Sequence, residues 1–190
     1  NFNMNRRTFV QKGILTTGAL SFSSFAIGSN SSVAENVFKM KFSPEFGIFA
    51  DLAGSNPVDQ IKWGHDQGFR AWENTMLKNR SVEEQEKISK IVQGLGMEFG
   101  QFVGTLTFKD VTFAGRDTGL REKVLQDIRA SVDIAKRMNT RFIHNVLGMA
   151  DPKLPWDFQM ANAGELLKRI AGIYEPHGLI MVMESMNHKI

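Results

Sequence analysis

Gly178-Leu179-Ile180-Met181-Val182-Met183-Glu184-Ser185-Met186-Asn187 is a solidly apolar run that carries one carboxylate near its end. A half-exposed strand alternates apolar and polar residues, whereas a strand covered on both faces is apolar at every position, as in parallel α/β sheets. The run therefore reads as a buried parallel strand. Glu184 stands at its carboxyl end, where open α/β sheets and (β/α)8 barrels place their chemistry, since the loops leaving parallel strands converge there. The plainer reading is a strand-end glutamate turned to solvent or paired with an arginine.

Working back toward the N-terminus, strand-like and helix-like pieces alternate. Lys41–Phe49 is apolar and extended, and Asn56-Pro57 opens a helix that runs to Gln67 and is stopped by Gly68, an N-cap, N1-proline and terminal-glycine pattern. Phe69–Asn74 is a short second strand. Ser81-Val82-Glu83-Glu84 is a capping-box start for a helix with Ile88, Ile91, Val92 and Leu95 on one face, and its acids suit the positive end of the helix dipole. Met97–Thr105 is the third strand, Leu120–Met138 a helix, Arg141–Gly148 the fourth strand, and Asn162–Tyr174 a helix after the loop Asp151–Trp156. Five strands separated by four crossover-length helices predict right-handed βαβ units and a parallel sheet. A doubly wound sheet is complete at five strands and an eight-stranded barrel is not. The dinucleotide-binding version is excluded by the first turn, which has only Gly54 between Phe49 and Pro57.

The 190 residues carry a formal net charge of +3. That charge is local: residues 1–34 hold Arg6, Arg7 and Lys12 with no acid, leaving 20 basic residues against 20 acidic ones in the remainder. A neutral body argues against a nucleic-acid partner. Asn5-Arg6-Arg7-Thr8-Phe9-Val10-Gln11-Lys12, followed by a Gly/Ser/Thr-rich, weakly apolar stretch, resembles a twin-arginine (Tat) signal, with Met4 as initiator and Ser32-Val33-Ala34 as cleavage site. This reading assigns residues 1–34 to a signal peptide and 35–190 to the folded body, and expects the Tat export machinery as a partner, a periplasmic location and no stable membrane anchor. The absence of cysteine removes disulfides, thiolate metal sites and a cysteine nucleophile.

Gly68-Phe69-Arg70-Ala71-Trp72-Glu73-Asn74, Ala135-Lys136-Arg137 and the Glu184-x-x-Asn187 pattern are similar to the xylose isomerase-like TIM barrels, in particular their hydroxypyruvate isomerase-like branch. The resemblance begins near Lys41 and covers about the first five βα steps of a (β/α)8 TIM barrel, so the chain is expected to be an N-terminal fragment, inactive alone. It implies a divalent metal at the barrel mouth, with Glu184 as a ligand and as a proton-transferring carboxylate. Moving a proton between adjacent carbons of a hydroxy-carbonyl sugar suits that pairing of acid and metal. Oxygen-rich ligation favours Mg or Mn over Zn. The implied partner is a small hydroxy-carbonyl or sugar substrate, with a homo-oligomer left open. Two other readings stand beside it: a non-catalytic periplasmic sugar-binding barrel, and an endonuclease IV-like metal hydrolase, which the neutral body disfavours.

Asn187 and His188 are candidate substrate contacts through the same resemblance, against loop-capping and solvent-exposed alternatives. Ile190 stands where the ketose 3-epimerases usually carry an acid, which speaks against their substrates. Glu73 and His144, near the ends of the second and fourth strands, are candidate substrate-binding residues, with buried structural roles as the alternative. His65 and His177 read as structural. Trp156 and Phe108 are candidate stacking faces, while Trp72 and the methionines around Glu184 read as packing.

Overall fold

The computed structural model describes residues 38–184. The signal-like segment, Asn187 and His188 lie outside them.

Helix starts follow the local sequence closely. Helix α1 is a single turn, Ala50–Ala53. In α2, Pro57–Asp66, the Asn56 side chain accepts from the Val58 N–H at 2.9 Å and Pro57 fills the first position. Gly68 then takes φ of 97°, a conformation that disfavours any residue with a Cβ. Helix α3, Val82–Gly94, has both halves of the expected capping box between Ser81 and Glu84. Helix α4, Thr118–Met138, is capped by Asp117, which accepts from the Leu120 N–H at 2.8 Å, and ends on a left-handed Asn139. Helix α5, Trp156–Tyr174, begins six residues earlier than the sequence predicts. The Pro155-Trp156 pair reads as loop, yet proline is well tolerated at a helix start, where its missing N–H would be unpaired anyway.

The strands are β1 (Ala71–Trp72), β2 (Glu98–Phe99), β3 (Gln101–Thr105), β4 (Phe142–Asn145) and β5 (Ile180–Met183), and every pairing is parallel. The second and fourth predicted strands, Phe69–Asn74 and Arg141–Gly148, are shortened to β1 and β4, and two others come out differently in kind. The third is broken at Gly100 into β2 and β3, although the ladder is bridged there by Gly100 N–H to the Trp72 carbonyl at 2.7 Å and Val103 N–H to Thr75 at 2.9 Å. The first, Lys41–Phe49, is reduced to one parallel bridge between Glu45 and Glu73, because the chain turns at Phe46–Phe49 into α1.

Spatial order follows chain order: β1 beside β2, then β3, β4 and β5. A doubly wound sheet reverses its order at a switch point, whereas a barrel adds each strand on the same side as the last. The described strands thus form a sector of a TIM barrel. Successive helices α2, α3, α4 and α5 pack against one another on its outer face.

Strand side chains alternate between faces. Phe102, Ile143, Leu179 and Met181 belong to the hydrophobic core, together with Ile128 of α4 and Leu166, Ile170 and Tyr174 of α5. Their neighbours Val103, Phe142, His144, Ile180, Val182 and Glu184 consequently face the inner side. Trp72, predicted to be a core residue, is fully buried.

Candidate functional site

Glu184 is the first residue beyond β5, and its N–H donates to the Asn145 carbonyl at 3.3 Å, which ties the end of β5 to the end of β4. Asn145 pairs with Met183 and His144 with Val182, so Glu184 stands two residues beyond the position opposite His144, on the same face. The result is a contact across 40 residues of sequence. Glu184 Oε2 lies 2.9 Å from His144 Nε2. The direction is outside hydrogen-bond alignment, and Nε2, although buried, has no aligned partner. The oxygen of an exposed carboxylate and a buried ring nitrogen with no aligned partner thus lie side by side at the carboxyl ends of the strands.

That pair fits one side of a divalent cation site, since a carboxylate and a neutral imidazole are both ordinary ligands. Among the described residues no cluster of three or more His, Cys, Asp or Glu side chains is placed to hold a metal. Glu184 and His144 thus present two donors, with no third within the described chain.

A second acidic group lies at the ends of the first two strand segments. Glu45 accepts from the Phe46 N–H and the Asn74 amide, both at 2.9 Å, and from the Thr75 N–H. Arg80 Nε donates to Asn74 Oδ1 at 2.7 Å, and its guanidinium covers the Phe46 ring at 5.1 Å from the centroid. The network fixes the loop after β1, on which Glu73 stands. Burial, and then the charge of Glu45, push the Glu73 carboxyl above its usual range. Glu73 is thereby a carboxyl biased toward holding its proton. Sequence reasoning missed Glu45, although the same signal that marked Glu184, an acid inside an apolar extended stretch, was present there.

The aromatic candidates separate. Trp156 and Phe108 are exposed, and Trp156 borders a small cavity of about 110 Å³ with Phe113, Leu147, Met149 and Met160. Gln159 closes the loop beneath it, donating to the Asp151 and Leu154 carbonyls at 2.9 and 2.7 Å. His65 lies within α2, and His177 in the 3-10 turn Glu175–His177 ahead of β5. Neither makes a hydrogen bond or ion pair with Glu184, His144 or Glu73 among the described residues.

No curated protein sequence matches this chain. Among solved structures, the 3-keto-D-glucoside 4-epimerase of E. coli in its apo form is similar over 80% of this chain and 58% of its own, with 14% identity and a TM-score of 0.61. An AP endonuclease, family 2, from Brucella melitensis is similar over 77% of this chain and 55% of its own, with 13% identity and a TM-score of 0.58. A D-psicose 3-epimerase solved in the presence of D-fructose is similar over 77% and 53%, with 14% identity and a TM-score of 0.57. The chain spans a little over half the length of each, and at these identities the likeness is one of fold. Residues 61–190 match the family described as xylose isomerase-like TIM barrel. With ordered parallel strands, an outer helix layer and an acid at the end of the fifth strand, this chain belongs to the xylose isomerase-like TIM barrel family.

Proposed function

We propose that the protein is a metal-dependent sugar isomerase or epimerase of the hydroxypyruvate isomerase-like type, acting on a small hydroxy-carbonyl substrate. The observation that carries the reading is the 2.9 Å contact of Glu184 Oε2 with His144 Nε2 at the carboxyl end of a parallel sheet. The fold of sugar epimerases among the similar structures is consistent with it.

In this reading Glu184 accepts the proton alpha to the substrate carbonyl and returns it to the neighbouring carbon, which requires a base within hydrogen-bond reach of both carbons. His144 Nε2, on β4 and 2.9 Å from the carboxylate, would hold a bound cation together with Glu184. A divalent cation supplies, when bound, a Lewis-acidic centre that offsets the negative charge developing on the substrate oxygens. Carboxylate oxygen suits Mg or Mn, and the imidazole nitrogen tilts the choice toward Mn. In this reading Glu73 contacts a substrate oxygen, and Asn187 and His188 are the further substrate contacts that the sequence suggests.

Glu184→Gln in the full-length protein tests the reading. Turnover is expected to fall about 100- to 10,000-fold, the usual range for loss of a general base, and to stay low at saturating Mg or Mn. Solvent-deuterium exchange into a 2-hydroxy-carbonyl substrate provides the measurement. Near-normal exchange by the variant would assign the base to another residue and leave Glu184 as a ligand only. No exchange by the unaltered protein with metal supplied would favour the sugar-binding barrel instead.

A further inference from the structure

The helix layer holds a differently built opening. Between the start of α4 and the middle of α5 lies a cleft of about 630 Å³, whose charged walls, with Asn162, come from Arg116 just before α4, Arg121 and Glu122 of α4, and Glu165 and Arg169 of α5. Three guanidiniums face two carboxylates there. Arg121 is buried, and both of its terminal nitrogens are engaged, donating to the Gly115 and Asn162 carbonyls at 3.2 and 3.3 Å and to Glu165. Arg116 and Arg169 are spent differently. Arg116 uses Nε alone, on Asn162 Oδ1 at 3.0 Å, and the buried Asn162 is itself anchored to the Ala114 carbonyl at 2.9 Å. Arg169 approaches Glu122 and Glu165 only at 3.9 and 4.0 Å, beyond hydrogen-bond distance. Both carboxylates have closer partners, Glu122 in Arg129 at 2.8 Å and Glu165 in Arg121.

The cleft thus combines surplus positive charge with two guanidinium forks whose terminal nitrogens make no hydrogen bond among the described residues. Burial, and then Arg169 and Arg116, hold the Arg121 pKa below its ordinary value. A planar fork matches two oxygens of a phosphate, and two forks with a fixed cation behind them match a dianion. The volume falls within the range of small-molecule pockets and exceeds what a lone phosphate fills. Glu184 faces the inner side of the sheet, whereas this cleft lies among the helices of the outer side, so its occupant is not the substrate of that carboxylate.

We propose that the cleft between α4 and α5 binds a phosphate dianion, free or as the monoester of a small molecule, through Arg116 and Arg169 with Arg121 behind them. This site is independent of the isomerase reading and stands or falls separately.

The full-length protein in phosphate-free buffer is titrated calorimetrically with inorganic phosphate and with glucose 6-phosphate, using glucose and KCl at matched ionic strength as references. Saturable binding of a phosphate probe and none of glucose is expected. Arg116→Gln and Arg169→Gln should each weaken it about tenfold or more, the effect of losing hydrogen bonds between charged groups. Tighter binding of glucose 6-phosphate supports the monoester as occupant, and tighter binding of inorganic phosphate supports the free ion. Arg169 is exposed and makes no hydrogen bond to the body, so Arg169→Gln supplies the measurement even if Arg116→Gln disturbs the fold. Unchanged binding by Arg169→Gln, or a response to both phosphate probes no larger than that to KCl, would overturn the proposal and leave the arginines as an inter-helix ion-pair network.

Discussion

Two neighbours on β4 show how differently the two faces of this sheet are built. Ile143 points to the helix layer and is 0% exposed, while Phe142 points to the inner face and is 41% exposed. The contrast repeats on β5, where Met181 packs against the core and Ile180 is 42% exposed. Burying one aliphatic side chain contributes roughly 1.5–3 kcal/mol, so the outer face carries the stability of the described residues. The inner face carries the candidate site, since His144 and Glu184 lie there. A strand with alternating faces serves both ends without compromise, because a change on one side leaves the backbone register that aims the other.

The largest expected difference is between Ile143→Ala and Phe142→Ala in the 190-residue chain. The first should cost about 2–4 kcal/mol in urea unfolding, from lost transfer energy and the cavity left behind. The second should cost less than about 1 kcal/mol, because a side chain still in water has little burial to lose. Equal costs would break the comparison, and would show Phe142 to be as closely packed as Ile143.

A glycine on the outer face sharpens it. A Cβ at Gly104 would stand 2.7 Å from Ile143 Cγ2, 2.9 Å from Asn145 Oδ1 and 3.0 Å from Tyr174 Oη. That hydroxyl is itself engaged with Ser131 Oγ at 2.9 Å and is kept neutral by burial, which pushes its pKa up to about 12. Gly104→Ala should therefore destabilise by about 1–3 kcal/mol through overpacking. Gly172→Ala, in α5 with nothing within 4 Å of the added carbon, should instead be neutral or stabilise by up to about 1 kcal/mol, as alanine is the better helix former. Thermal unfolding of the two variants gives the measurement, and equal shifts would mean that this strand and its helix are less tightly packed than their distances imply.

The smallest effect belongs to Glu73. Its folded pKa is raised above 4.5, so between that value and the folded one the native state binds more protons than the unfolded chain. Stability then falls as pH rises through that window, and the penalty is fully present above it. Glu73→Gln should raise the unfolding temperature at pH 7 and lose that advantage by pH 4. The same difference at both pH values would mean that the carboxyl titrates normally and that Glu45 does not act on it.

Much of this architecture was legible in local residue order. The Asn56-Pro57 start, the Ser81–Glu84 capping box and the stop at Gly68 are settled within a few residues of chain, since they depend on N–H groups that only near neighbours can reach. The shortening of the Lys41–Phe49 strand was not legible. Its apolar composition suits a strand, but only Glu45 finds a partner, and the aromatic side chains Phe46 and Phe49 pack instead against Trp72, Trp63 and Phe69. Glu45 itself was hidden because the groups it caps, at Asn74 and Thr75, lie about 30 residues away.

By itself, then, the sequence determined the alternation of strands and helices, the burial of Trp72 and the placing of Glu184 at a strand end. Each is a matter of periodicity or of contacts within a turn. Tertiary structure alone decided that His144 would be the residue beside Glu184, that Glu45 would bear on Glu73, and that Arg116, Arg121 and Arg169 would converge on one cleft. Those meetings depend on parallel register and on the packing of α4 against α5, which join residues 28 to 53 positions apart. Local sequence fixes which way a side chain points along its own element, but only the packing of whole elements fixes what it meets.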